Sequence, residues 1–251
     1  MLLSALLTTA LAAPPAVDVT EVALGTGTGI LFVPLAPLEE AWAENGWARF
    51  APVQLATLAV NGELYINRHV PGFDHIEYSS VGDRIQGGDV RTDLRITMDQ
   101  LSYGYAAVDR RGWFVVPRLG VGLLNATATA TPLTTVPFDQ ASADGLRALP
   151  MSTSAFYLDA GVGLYYLVAF GGRDALGIRQ GLRIGLRLGA LVELFHTSGG
   201  DSLWTVQGQP LPGAPDVFLG GPYVRLFVSP SLIHRAPHVT VRKPKVAPPE
   251  G

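Results

Sequence analysis

The chain of 251 residues contains no cysteine. This excludes disulfide bonds, thiolate metal sites and a lipid anchor on an N-terminal cysteine. Charged residues are scarce, at 16% of the chain, and the formal net charge of −3 gives no reason to expect nucleic acid as a partner. The five histidines lack the spacing of metal ligands, and no motif indicates a cofactor.

Long apolar runs are also missing, because charged or polar residues interrupt every apolar stretch before it reaches the ~20 residues that a membrane-spanning helix needs. The mean hydropathy is nevertheless +0.27, which is high for a chain without such a helix. The apolar residues must therefore follow some pattern other than a long helix.

The most regular pattern lies in residues 181–196, GLRIGLRLGALVELFH. Every even position from Leu182 to Leu194 is apolar, whereas the odd positions include Arg183, Arg187 and Glu193. A period of two predicts a β-strand with one apolar face and one polar face. Strands of soluble sheets are usually about half as long. Long strands that are apolar outside and polar inside are typical of barrels in lipid.

Similar alternation predicts eight strands, at residues 17–33, 47–60, 63–70, 90–108, 113–127, 156–168, 181–196 and 217–233. The Asn61-Gly62 dipeptide predicts a type I′ turn between the second and third strands. In the fourth strand the apolar positions change parity after Gln100, which predicts a β-bulge there. Within the first strand, the GTGTG segment at 25–29 lacks the ending and the following helix of a phosphate-binding loop.

The predicted connections alternate in length. Longer links follow the odd-numbered strands, including loops at 71–89, 128–152 and 197–216, and shorter links follow the even-numbered ones. Outer-membrane barrels have this asymmetry, with long loops outside the cell and short turns in the periplasm. Both ends of the predicted barrel, at residues 14–233, then lie on the periplasmic side.

Two terminal segments are expected to lie outside the barrel. Residues 1–13, MLLSALLTTALAA, are apolar and end in an A-x-A pattern, which predicts a secretory signal peptide. Residues 234–251 are basic and contain four prolines, which predicts an extended periplasmic tail. This tail would be solvated or would contact peptidoglycan or lipid headgroups.

Over residues 17–233 these patterns resemble the small eight-stranded bacterial outer-membrane barrels of the OmpA, OmpX and OmpW type. Gly221, Val224 and Leu226 match part of the spaced apolar pattern in the final strand of such proteins, whereas Pro222 and Pro230 depart from it. The resemblance implies an all-β, antiparallel up-and-down transmembrane barrel in the bacterial outer membrane. It also implies a monomer surrounded by lipid and lipopolysaccharide.

Charged residues on the inward face are expected to fill this barrel, because eight strands enclose just enough room for their own side chains. Carboxylate and guanidinium groups would neutralise one another there. The expected lumen network comprises Glu21, Glu63, Asp93, Arg95, Asp99, Arg118, Asp159, Arg183, Arg187, Glu193 and Arg225. We therefore expect a plugged or narrow lumen and a structural or loop-presenting protein without enzymatic activity. A narrow channel for small apolar solutes is an alternative.

A second alternative is an outer-leaflet lipid hydrolase. His196 and Ser198 continue the lipid-facing parity of the seventh predicted strand. Lipid A deacylase barrels are similar, since they carry a His-x-Ser pair near the outer leaflet. That resemblance implies a general base at His196 and a nucleophile at Ser198. No acidic residue stands at the position of the family's third member, and Asp201 is the nearest carboxylate.

The remaining alternative is a soluble lipocalin-like barrel, with its apolar residues inside and its charges in water. The two arrangements place Leu186 and Leu188 on opposite sides of the wall.

Overall fold

Eleven strands and one helix make up the computed structural model, which describes residues 19–44, 53–80, 90–132, 149–172, 174, 177–197 and 204–235. The elements are β1 (Val19–Phe32), α1 (Ala36–Glu44), β2 (Val53–Ile66), β3 (His69–Ser80), β4 (Val90–Tyr105), β5 (Val108–Arg110), β6 (Trp113–Pro132), β7 (Leu149–Phe170), β8 (Ile178–His196), β9 (Thr205–Val206), β10 (Gln209–Pro210) and β11 (Gly221–Arg235). In these ranges no helix has the length and apolar character needed to cross a bilayer.

Eight of the strands form a closed antiparallel barrel. Each of β1, β2, β3, β4, β6, β7 and β8 pairs with the next long strand, and β11 pairs with both β8 and β1. Following paired residues once around the barrel from Glu21 leads back to β1 at Leu31, ten residues further along. Strands with such a stagger tilt by roughly 35–45° from the barrel axis. The predicted eight-stranded up-and-down barrel is confirmed.

An apolar belt on the outer surface of the barrel includes residues of all eight long strands. On β8, Leu188 is 50% exposed, whereas Arg183 and Arg187 on the opposite face are 1% and 2% exposed. Large exposed apolar side chains on the other strands include Leu24, Leu58, Phe73, Leu101, Leu119, Leu164 and Leu226. This belt contradicts the lipocalin-like alternative and is the surface of an outer-membrane barrel.

The connections at the two ends of the barrel differ in length, as predicted. Residues 33–52, 81–89, 133–148 and 197–220 join strands at one end, here called the outer end. Residues 67–68, 106–112 and 171–177 join strands at the other, the inner end. The first outer link contains α1 and the last contains the hairpin of β9 and β10, which pairs with the outer end of β7.

The predicted turn at Asn61-Gly62 is wrong. Both residues lie inside β2, where Gly62 pairs with Phe73 of β3. The turn is at Asn67 and Arg68, whose φ angles of 46° and 73° are those of a type I′ turn. Gly62 is suited to its strand position because the ring of Phe73 covers it, and a Cβ atom there would overlap that ring. The third strand is therefore 69–80 and not 63–70.

The β-bulge predicted after Gln100 is also wrong. Strand β4 pairs with β3 and with β6 in one continuous register. Met98, Gln100 and Ser102 all face the interior, so the inward parity is constant along the strand. Toward the outer end of β4, the inward residues change from polar to apolar and the outward residues change from apolar to polar.

Three layers of side chains fill the barrel. The outer apolar core lies toward the outer end and includes Leu31, Leu38, Ile76, Leu94, Ile96, Met98, Leu124, Tyr157, Leu191, Trp204 and Phe227. The inner aromatic cluster lies toward the inner end and comprises Tyr65, Val70, Ala106, Phe114, Val116 and Tyr165. An ionic layer lies between them and is described below.

The glycines of the GTGTG segment have a packing role in β1. Gly25, Gly27 and Gly29 face the interior, and side chains of β11 lie across them. A Cβ atom at Gly29 would lie 2.9 Å from the Arg225 side chain, and one at Gly27 would lie 2.7 Å from the Phe227 ring. These glycines therefore make room for large residues of the neighbouring strand.

The predicted terminal segments lie largely beyond the described residues. Strand β11 extends to Arg235, two residues past the predicted end of the barrel. The signal peptide at 1–13 and the tail at 236–251 stay predictions.

Candidate functional site

The ionic layer contains eight buried charged side chains. Four are carboxylates (Glu21, Glu63, Asp74 and Asp159) and four are guanidinium groups (Arg118, Arg183, Arg187 and Arg225). Their exposed fractions are between 1% and 6%, so side chains and not bulk water occupy the bore at this level. The formal charges of the eight groups cancel, as buried charges require.

Glu63 of β2 is the centre of this layer. Its Oε1 accepts hydrogen bonds from Arg118 and from Nη2 of Arg187, the latter at 2.6 Å. Its Oε2 lies 3.2 Å from Nη1 of Arg183, and the Tyr165 hydroxyl donates to Oε1 at 3.2 Å. One carboxylate therefore contacts three guanidinium groups on β6 and β8, which face it across the bore.

Two further carboxylates complete this part of the network. Asp74 of β3 accepts a hydrogen bond from Nη1 of Arg187 at 2.6 Å and lies 3.9 Å from Arg118. Glu21 of β1 pairs with Arg183. Three acids and three arginines thus form one connected cluster that joins five strands. Asp74 is not among the predicted lumen residues, because it lies in the predicted loop at 71–89; the alternation of Gly72, Asp74, Ile76 and Tyr78 was the available signal.

Asp159 and Arg225 are joined through an aromatic residue. The Tyr223 hydroxyl donates to Asp159 at 2.7 Å, and the Arg225 guanidinium carbon lies 3.7 Å from the centre of the same tyrosine ring. Gln100 donates to Asp159 at 2.6 Å, and Nε of Arg225 donates to the Tyr78 hydroxyl at 2.7 Å. Tyrosine therefore serves this pair both as a hydrogen-bond donor and as a π face for the cation.

Glycines opposite the tyrosines make room for these large side chains. The Tyr165 ring covers Gly185 of β8, where a Cβ atom would lie 2.5 Å from the ring. A Cβ atom at Gly189 would lie 2.5 Å from the Tyr223 hydroxyl oxygen. Alternating small and large residues fill narrow barrels in this way. This accounts for the glycines between the inward charges of residues 181–196.

Three of the expected lumen residues lie on the outer surface, and their predicted placement is wrong. The Arg95 and Asp99 side chains are 64% and 59% exposed, and Asp93 shares their face of β4. Arg95 pairs with Glu77, and Asp99 lies 2.7 Å from Nδ1 of His75. The reason is that the apolar belt ends on β3 and β4 at the facing pair Phe73 and Leu101. Beyond this pair the outer surface is polar and the inner surface is apolar.

A β-bulge in β8 changes the position of His196. Phe195 pairs with Phe156, but Glu193 pairs with Tyr157, so Leu194 is the extra residue. His196 is therefore opposite Ala155 on the interior side, and its predicted lipid-facing position is wrong. Ser198 and Asp201 lie outside the described residues.

Both ring nitrogens of His196 have partners in the barrel wall. Nε2 lies 2.5 Å from Oε1 of Glu193, and Nδ1 lies 3.3 Å from the hydroxyl oxygen of Thr153. The second oxygen of Glu193 accepts a hydrogen bond from the Leu219 backbone N–H at 2.9 Å. Glu193 therefore faces the interior, which is the side predicted for it. It lies at the outer end of the barrel and is not part of the ionic layer.

Glu193 and His196 line a cleft at the outer rim of the barrel, here called the rim cleft. Its volume is about 610 Å³, and its other lining residues are Pro34, Ala36, Pro37, Asp216, Val217 and Phe218. The cleft is therefore bounded by the start of α1, the end of β8 and the segment before β11. Within the described part of the chain, no group of three or more His, Asp or Glu residues is arranged to hold a metal ion.

Comparisons with known proteins add little to this geometry. No protein-family model matches the chain, and no curated protein matches it. Among solved structures, it is similar to neisserial surface protein A (NspA), at 11% identity and a TM-score of 0.34, over 87% of this chain and 97% of that one. It is also similar to the outer membrane protease OmpT from Escherichia coli, at 9% identity and a TM-score of 0.30, over 88% and 97% of the two chains. With TM-scores this low, neither similarity supports an inference about the function of this chain.

Proposed function

We propose that the protein is a closed, non-enzymatic outer-membrane barrel that anchors its outer loops at the cell surface and conducts neither ions nor solutes. The ionic layer is the observation that carries this proposal. Its eight charged groups are at most 6% exposed and are paired with one another or with tyrosine. An ion path would require hydrated charges along the bore, and these side chains leave no room for that water.

The layers on either side of the ionic layer support the same function. Trp204 and Leu38, which come from the outer links, are fully buried in the outer apolar core and cover the mouth of the barrel. Tyr65, Phe114 and Tyr165 fill the inner end. A small apolar solute would have to displace ion pairs in order to cross the middle layer, so a channel for apolar solutes has less support.

Planar-bilayer recording tests the closed lumen. We expect the purified full-length protein to give no steady current at any voltage that the bilayer tolerates. A steady, open conductance that scales with the number of inserted barrels would contradict the proposal. Insertion is verified independently by heat-modifiable gel migration of protein recovered from the same vesicles.

The natural chain has no cysteine, so single-cysteine variants give a clean test of loop display. Gln140→Cys places a thiol in an outer link, and Gly172→Cys places one in an inner link where a side chain meets no neighbouring atom. A membrane-impermeant maleimide should label the first variant in intact cells and the second only after lysis. Equal labelling of both in intact cells would contradict the orientation.

The lipid hydrolase alternative receives less support from the site. His196 faces the interior and is engaged by Glu193 and Thr153, so it is not presented to the outer leaflet as a free base. We expect Ser198→Ala to leave the acylation of lipid A unchanged in cells that express the protein. A deacylated lipid A that depends on Ser198 would establish the hydrolase instead.

The proposed partners follow from the two ends of the barrel. The apolar belt suits the acyl chains of membrane lipid and lipopolysaccharide around a monomeric barrel. Because β11 ends at the inner end, the tail at 236–251 would begin on the periplasmic side, where peptidoglycan lies. Co-sedimentation with purified peptidoglycan should therefore decrease when the chain is truncated after Arg235. Unchanged co-sedimentation would exclude the tail as the contact.

A further inference from the structure

The described side chains that line the rim cleft offer hydrogen-bond acceptors and no free donor. The two ring nitrogens of His196 are already engaged, and Pro34 and Pro37 have no N–H group. Glu193 uses one acceptor position for His196 and one for the Leu219 N–H, which leaves about two of its four acceptor positions available. Asp216 is exposed and adds a second carboxylate.

The electrostatic surroundings of the cleft are negative. Its described lining residues include Glu193 and Asp216 but no lysine or arginine. Helix α1 begins in the lining, at Ala36 and Pro37, and further along it carries the exposed carboxylates Glu40 and Glu44 and no basic residue in its last turn. A ligand that complements this site carries positive charge and N–H donors.

The remaining surface of the cleft is apolar. Pro34, Pro37, Val217 and Phe218 supply this surface, and Phe218 is 44% exposed. Phe195, on the outer face of the same end of β8, is 56% exposed. The cleft therefore lies next to exposed aromatic side chains at the outer end of β8, which suit contact with an apolar chain. Its volume of about 610 Å³ is in the usual range for a small-molecule site.

We propose that the rim cleft binds the head of an amphiphile in which a primary ammonium group is attached to an apolar chain. The ammonium group donates to Glu193 and Asp216, and the first part of the chain lies against Pro37 and Phe218. This activity is independent of whether the lumen is closed, because the cleft lies outside the ionic layer.

Calorimetric titration of the full-length protein in phosphatidylcholine nanodiscs tests the proposal, with empty nanodiscs subtracted as background. Decylammonium is the probe, and decyltrimethylammonium and decyl sulfate are the comparisons. We expect saturable binding of one decylammonium per barrel. The trimethyl compound, which has the same charge but no N–H donor, should bind at least tenfold more weakly, and the sulfate should not bind. Equal affinity for all three compounds would overturn the proposal.

Matched variants locate the binding. Glu193→Gln, which retains an acceptor for the Leu219 N–H, should weaken decylammonium binding about tenfold, and Asp216→Asn should weaken it about threefold. Asp99→Asn removes an exposed carboxylate on β4, away from the cleft, and should leave the affinity unchanged. An equal loss in all three variants would show that only general charge matters and would overturn the site. Heat-modifiable migration confirms that each variant is folded.

Two further measurements identify the occupant. A diazirine-bearing decylamine should cross-link to residues 34–37 or 216–218, and labelling confined to other segments would overturn the assignment. Adding phosphatidylethanolamine to the nanodiscs distinguishes the sources of the ammonium group. Competition with decylammonium would assign the cleft to a membrane lipid headgroup, whereas unchanged binding would assign it to a free amphiphile. Either result supports a site for a primary ammonium group attached to an apolar chain.

Discussion

On β3 and β4 the wall of the barrel has two halves of opposite polarity. In the half that contains the ionic layer, Arg183, Arg187 and Glu63 are buried inside, and leucine and valine face outward. In the outer half of β3 and β4, Ile76, Ile96 and Met98 are buried inside, and His75, Glu77, Arg95 and Asp99 face outward. The same strands pass through both halves without a change of register.

This difference shows that the surroundings of the wall, and not the wall itself, decide which residues face inward. Where lipid surrounds the barrel, apolar side chains are stable outside, and the interior can hold paired charges. Where water surrounds it, the hydrophobic effect favours the arrangement of an ordinary soluble barrel. The boundary on β3 and β4 lies between the pair Phe73–Leu101 and the pair His75–Asp99.

The largest expected effect comes from removing the centre of the ionic layer. Glu63→Gln leaves Arg118, Arg183 and Arg187 without their shared carboxylate in a site that excludes water. We expect it to lower the free energy of unfolding by about 3–5 kcal/mol, because an uncompensated buried charge is costly. Urea unfolding of the protein in lipid vesicles measures this change.

Glu77→Gln is the matched control, since Glu77 also pairs with an arginine but lies on the outer surface of the other half. Its effect should be below about 1 kcal/mol. Similar losses in the two variants would mean that the two halves do not differ in the way described.

The second prediction locates the boundary on β4. Leu101 and Thr97 lie on the same outward face of this strand, and Leu101 is 70% exposed. Leu101→Arg should lower the free energy of unfolding in vesicles by about 1–3 kcal/mol, less than at the middle of the bilayer, because it places a charge in the last part of the apolar belt on this strand. Thr97→Arg should cost about 0–1 kcal/mol, because that position lies beyond the belt. Equal costs would place both residues in the same environment and would contradict the boundary.

The third prediction concerns the room that glycine provides in the ionic layer. Gly185→Ala introduces a Cβ atom 2.5 Å from the Tyr165 ring, which must then move away from Glu63 and Arg187. The expected cost is about 1–3 kcal/mol, as for other overpacked interiors. Gly172→Ala is the control at a position with open space, and it should leave the unfolding midpoint unchanged. If Gly185→Ala also leaves the unfolding midpoint unchanged, Tyr165 can move without losing stabilising contacts, and the prediction is contradicted.

Much of this fold could be predicted from the sequence, because a period of two and the alternation of long and short links are local signals. The position of Arg183 and Arg187 followed from one strand with a constant pattern. The position of Arg95 and Asp99 did not, because a prediction with apolar residues outside along the whole of β4 requires a bulge that the strand does not contain. From the inner end of β4 toward its outer end, the outward positions are apolar up to Leu101 and polar beyond it, and this change marks the boundary between lipid and water.

Other features depend on contacts between distant segments. Asp74 joins the ionic layer only because Arg187, 113 residues further along the chain, reaches it across the bore. His196 faces inward because of a bulge at Leu194, and the local signal for it was the change of the outward apolar residues from the even position 194 to the odd position 195. The Asn61-Gly62 dipeptide was misleading because Phe73 of the next strand covers Gly62. Such tertiary contacts override local preference, and one strand alone does not show them.

The smallest expected effect belongs to the ion pair on the outer surface of the outer half. Arg95→Ala removes the partner of Glu77, but the Arg95 side chain is 64% exposed, so water replaces the lost contact. The free energy of unfolding should fall by less than about 1 kcal/mol, and this small difference should vanish when the salt concentration is raised to 1 M. The destabilisation caused by Glu63→Gln should persist under the same conditions, because the buried network is screened far less. A salt-insensitive loss in Arg95→Ala would place this pair in a low-dielectric environment and would move the boundary of the apolar belt outward beyond Arg95.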